Sequence, residues 1–121
     1  ALSHVITFLQ QAAPEFVGVD LEWSDPHPVS IIQIATPTRA FVLDTVNRTP
    51  LYMSVLYCLM DWLLKRGATT KLFFGFPYDL IRLNLLFGPQ GKSFDHQDHI
   101  ASIVDLYMQR VRRVAVRAPR P

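Results

Sequence analysis

The sequence predicts an α/β domain built on a mixed sheet, three antiparallel strands extended in parallel through a helical crossover and flanked by helices. Three observations carry this. The apolar runs FVGVDLEW, SIIQIA and AFVLD follow one another across short polar connections, as in an antiparallel meander. The apolar period then lengthens to that of a helix in LYMSVLYCLMDWLLKR, and again in DLIRLNLLF. Between those helices lies KLFF, a short apolar segment whose return to the sheet requires a crossover.

The elements follow in order. Val5, Phe8, Leu9 and Ala12 recur at helical spacing, with Ser3 as the expected N-cap and Pro14 closing the helix. FVGVDLEW is the first strand, SDPHP a turn, SIIQIA the second strand, TPTR a turn and AFVLD the third. Thr49 and Pro50 form an N-cap and first helical residue, and Gly67 stops the crossover helix. After KLFF, GFPY reads as a tight bend that delivers Asp79 to the start of a second helix, ended by Gly88. A polar loop with Phe94, Asp95, His96, Asp98 and His99 leads to SIVDLYMQRVRRV, read as a strand end passing into a helix.

Composition sets the class. Half of the 121 residues are hydrophobic and 18% are charged, the signature of one globular domain with its own core. No apolar run is of transmembrane length, the amino-terminal residues lack the pattern of a signal peptide, and no membrane partner is expected. The lone Cys58 excludes a disulfide framework and a cysteine-rich zinc site; it is read as a buried helix residue and fits an intracellular, reducing compartment. The net charge is only +2, yet Arg110, Arg112, Arg113, Arg117 and Arg120 crowd the last twelve residues. Such a cluster is either a solvated tail or a phosphate-binding segment for RNA or DNA.

Chemistry concentrates in the first strand. Alternation puts Val17, Val19, Leu21 and Trp23 on one face and Gly18, Asp20 and Glu22 on the other, the two acidic Cα atoms roughly 6 to 7 Å apart. Two readings stand. On a half-buried face the pair needs a positive partner, and hard oxygen ligands suit Mg²⁺ or Mn²⁺. On an open face the alternation means no more than in and out. Gly18 favours the first by leaving room for a ligand or for backbone. Asp79 is similarly two-sided, since aspartate is a favoured N-cap and a capping carboxylate is less available to a metal. Trp23 and Trp62 are assigned to packing.

At these residues the sequence resembles the DEDD superfamily of 3'-5' exonucleases, the ribonuclease D and Werner-type domains. FVGVDLEW is similar to that family's first motif, SIIQIAT and AFVLD to its second and third strands, KLFFGFPYDLIRL to its second motif, and IVDLY to a later segment that opens a long helix. The likeness runs in order over residues 3 to 110. It implies a ribonuclease H-like fold over residues 1–109, with residues 110–121 as an arginine-rich tail. It further implies that Asp20, Glu22 and Asp79 match three of four acids that hold two divalent ions, Mg²⁺ or Mn²⁺, for phosphodiester hydrolysis at a nucleic acid 3' end. Asp20, Glu22 and Asp79 are thus the expected catalytic and metal-binding residues, and Arg110, Arg112, Arg113 and Arg117 the expected nucleic-acid contacts.

The family's third motif, Tyr-x-x-x-Asp or His-x-x-x-x-Asp, is not found beyond IVDLY. Tyr57 and Asp61 have the first spacing but precede Asp79 in the crossover helix, and are read as helix residues; His99 and Asp105 miss the second spacing by one. Asp105 matches a family aspartate at a strand-to-helix junction and is read as an N-cap rather than a fourth ligand. His96 and His99 belong to a polar loop, histidine being a poor choice for Mg²⁺. Either the chain is the front part of a longer exonuclease domain, or it is a shortened relative that binds RNA or serves as a scaffold with protein partners in a larger assembly.

Overall fold

A computed structural model describes residues 2–94 and 100–107. The elements run α1 (Leu2–Ala12), β1 (Phe16–Ser24), β2 (His27–Ala35), β3 (Ala40–Asp44), α2 (Pro50–Lys65), β4 (Thr70–Phe73), α3 (Phe76–Phe87), a short 3₁₀ turn (Gly88–Gln90) and β5 (Ile103–Asp105). The strands form one five-stranded sheet in the order β3-β2-β1-β4-β5. β1, β2 and β3 pair antiparallel, and β4 and β5 extend the sheet in parallel. This is the mixed sheet the sequence predicts, with the crossover supplied by α2.

Register explains which residues go inside. Leu21 lies opposite Ile32, which lies opposite Leu43, while Val19 lies opposite Ile34. All five are buried, and they share one core cluster with Leu9 of α1, Leu56, Met60 and Leu63 of α2, and Leu83 and Phe87 of α3. Each such side chain stabilises the fold by about 1.5–3 kcal/mol on leaving water. On the other face stand Gly18, Asp20, Glu22, Gln33 and Val42, from half-buried to exposed. The sheet therefore presents one face to the helices and one outward, as antiparallel sheets commonly do.

Several boundaries differ from expectation. α1 begins before Ser3, so that residue lies within the helix rather than capping it. α3 begins at Phe76, because Pro77 sits in the first turn, where its missing N–H breaks no helical bond. Thr49 does cap α2, accepting a hydrogen bond from the Tyr52 amide at 3.2 Å with Pro50 next. Cys58 is exposed rather than buried. Lys71, in the middle of β4, is fully buried, and its Nζ donates to the carbonyl of Arg66 at 2.6 Å, closing the C-terminal end of α2.

Candidate metal centre

Asp20 and Glu22 lie on the outward face of β1, opposite Gln33 and Ile31 of β2, and both are exposed. Asp79 arrives by a different route. β4 ends at Phe73, the chain turns at Gly75 with φ +92°, and α3 begins, placing Asp79 at its fourth residue with 6% of its surface exposed. The cap position belongs to Gly75, whose carbonyl accepts from the Tyr78 and Asp79 amides. Of the two readings of Asp79, the one in which it caps the helix is thereby removed, and its carboxylate is not committed to that role.

Burial pushes the Asp79 carboxyl up to about 6, with the charges of Asp20 and Asp105 adding in the same direction. Asp20 and Asp79, remote in sequence, thus stand within each other's field. Among the described residues the ion pairs are Arg48–Asp44 at 3.1 Å and Lys65–Asp61 at 2.9 Å, so neither Asp20 nor Asp79 is neutralised by one. Mutually repelling carboxylates in a partly dry setting are, by donor type, suited to a hard divalent cation. Their arrangement is open. Among the described residues no three histidine, cysteine, aspartate or glutamate side chains stand close enough to hold a metal ion, so Asp20, Glu22 and Asp79 do not converge as a set of three.

Asp105 is held tightly by backbone. Its Oδ1 accepts from the Gly75 amide at 2.9 Å and the Tyr107 amide at 3.0 Å, and its Oδ2 from the Phe76 amide at 3.1 Å. The Tyr107 bond fits the expected capping of the segment that Asp105 opens. The bonds to Gly75 and Phe76 cap a different helix, α3.

Beside Asp79 lies a groove of about 500 Å³ lined by Trp23, Phe74, Gly75, Tyr78, Ile81 and Arg82. Trp23 is 42% exposed, with the Arg82 guanidinium 4.4 Å from its ring centroid, so it is a surface aromatic under a cation rather than a core residue. Trp62 does pack against the core, under Arg66. Gly18 is not required by crowding, since a Cβ there would meet only the Ala35 Cβ at 3.9 Å.

Tyr57 and Asp61 take the structural roles expected of them. Tyr57 stacks on Phe94, meets Phe87 edge-on and donates its hydroxyl to the Ser93 carbonyl, while Asp61 pairs with Lys65. Asp95, His96, Asp98, His99 and the arginines from Arg110 to Arg120 lie outside the described residues.

No protein-family model matches the sequence, and neither does any curated protein. Solved structures do match. The Aedes aegypti Nibbler EXO domain superposes with a TM-score of 0.68 at 20% identity, over 94% of this chain and 52% of that one. The EXD2 exonuclease domain soaked in Mn and GMP gives 0.62 at 17%, over 93% and 55%. Trypanosoma brucei RNase D in complex with RNA U12 gives 0.60 at 22%, over 87% and 34%. The fold is that of these exonuclease domains. This chain spans about half the length of the first two and a third of the last. At these identities the likeness is one of architecture, the ribonuclease H-like sheet with its flanking helices.

Within this exonuclease fold, sequence reasoning missed the Trp23–Arg82 pair, the double capping by Asp105 and the burial of Lys71. Only Lys71 carried a local signal, as a lysine at the head of a short apolar strand. The other two join residues far apart in the chain.

Proposed function

We propose that the protein is a nuclease-type domain that holds a divalent cation, Mg²⁺ or Mn²⁺, at Asp20 and Asp79 with Glu22 beside them, and acts on phosphodiester bonds at a nucleic acid 3' end. The observation that carries this reading is the buried Asp79 carboxylate, raised by the charge of Asp20 and without an ion-pair partner among the described residues. A bound cation would supply polarisation of the phosphodiester and activation of water at neutral pH. Asp20 and Asp79 would hold that charge in place, and the low solvent access of Asp79 would strengthen the attraction.

Support comes also from surface chemistry. Exposed Trp23, Phe74 and Tyr78 with Arg82 form the aromatic-plus-cation surface on which unpaired bases stack. Relatives in fold have been solved with Mg, Mn, guanosine monophosphates and RNA. Under the same reading, residues 1–109 are the functional domain, and Arg110, Arg112, Arg113 and Arg117 in the 110–121 tail contact phosphate.

A second reading is favoured by the openness of the acidic site. With no three ligands converging among the described residues, the domain would bind nucleic acid, or partners in a larger assembly, without cutting. One experiment separates the two. The full chain is incubated with Mn²⁺ and a 5'-labelled single-stranded oligonucleotide, and both shortening and binding are read. Stepwise shortening from the 3' end that disappears in Asp20→Asn supports hydrolysis. Binding without shortening at any metal concentration supports the second reading, and deleting residues 110–121 should then weaken binding.

A further inference from the structure

We propose that Asp105 is a positioning residue for Asp79, acting by capping α3 from another strand. The inference rests on the proposed role of Asp79 as a cation ligand for its functional meaning, but its structural content stands apart from it.

A helix start leaves its first amides without intrahelical partners, and a side-chain oxygen at the N-cap ordinarily satisfies one of them. α3 has Gly75 at that position and therefore no capping side chain of its own. Glycine is demanded there by φ +92°, so the chain cannot place an ordinary cap where the bend needs a left-handed residue. The missing acceptor comes from the end of β5. Both Asp105 oxygens are used, Oδ1 on the Gly75 amide and Oδ2 on the Phe76 amide, while Oδ1 also takes the Tyr107 amide.

β5 pairs with β4 in register, with Phe73 opposite Asp105. The carboxylate thus ties the sheet to the first turn of α3 across the one bend that intervenes. Charge-assisted bonds of this kind fix angle as well as distance. Asp79 lies one turn further along the same helix, and its amide bonds back to the Gly75 carbonyl. The rotation of α3, and with it the direction in which the Asp79 side chain leaves the helix, is set by what holds Gly75 and Phe76. Asp105 supplies that hold through its bonds to the Gly75 and Phe76 amides.

The test compares Asp105→Ala with Thr49→Ala, which removes an equivalent cap from α2. In the full chain, amide hydrogen exchange at Tyr78 and Asp79, read against Leu83 in the same helix, should accelerate in Asp105→Ala and stay as in the parent in Thr49→Ala. Mn²⁺ affinity should fall by about tenfold or more in the first and hold in the second, a split that a general loss of stability does not produce. Asp105→Asn keeps one acceptor oxygen and should lie between, which serves if the alanine variant fails to fold. Unchanged exchange at Tyr78 and Asp79, or equal Mn²⁺ affinity in Asp105→Ala and the parent, overturns the proposal. If the parent protein binds no Mn²⁺, the cation reading fails and the exchange comparison alone decides the positioning.

Discussion

Asp79 is where the charge balance of the fold is least comfortable. Its carboxyl is raised from 3.8 to about 6, chiefly by burial and then by Asp20 and Asp105. Between those values the folded protein keeps a proton that the unfolded chain has released, so this group's contribution to stability falls as pH rises through the window and is fully unfavourable above it. Asp79→Asn should therefore stabilise the metal-free protein at pH 7.5 by about 1–3 kcal/mol, with the gain fading toward pH 4; urea unfolding at both pH values reads it. A variant less stable than the parent at pH 7.5 would contradict the assignment. Because a proton and a cation compete for the same oxygens, Mn²⁺ affinity should rise by about tenfold per pH unit below 6 and level off above 7, by calorimetry. Lys71 shifts in the opposite sense, lowered from 10.5 to about 8 by burial and by Arg66. Here the unfolded chain binds the extra proton, so this group's contribution to stability rises between pH 8 and 10.5. Unfolding of Lys71→Met at pH 8 and pH 10 should show about 1–3 kcal/mol less of that rise than the parent.

The helices and strands show how far local pattern reaches. Alternation separated the two faces of β1, where Val17, Val19 and Leu21 are buried and Trp23 is not, and Thr49–Pro50 marked the start of α2, because those signals are carried by neighbouring residues. The start of α3 was missed because Phe76-Pro77-Tyr78 reads as a bend, although proline is well tolerated in a first turn. The acidic pair on β1 could be placed on one face, yet the approach of Asp79 to the field of Asp20 depends on the crossover and on Gly75, which no local pattern specifies. Gly75→Ala tests that joint. The new Cβ would meet the Tyr78 ring only at 3.7 Å, so its penalty is conformational, about 1–2 kcal/mol from φ +92°. Thermal unfolding should show a loss of that size, with weakened Mn²⁺ binding; a full-strength site in a destabilised protein would mean that the bend does not orient Asp79.

At the scale of the molecule, a five-stranded sheet carries its helical core on one face and leaves Asp20, Glu22 and exposed Phe74 on the other. That asymmetry was legible from the alternating strands. The openness of the site was not, because convergence of carboxylates is a property of tertiary geometry alone. The account depends on Asp20 and Asp79 sharing one cation. Its most direct test is paramagnetic broadening of assigned amide signals as Mn²⁺ is added to the full chain. Loss of signal centred on Asp20, Phe74, Gly75 and Asp79, and absent from Asp79→Asn, is the predicted result. Broadening spread over the other acidic residues, or unchanged by that substitution, would contradict it.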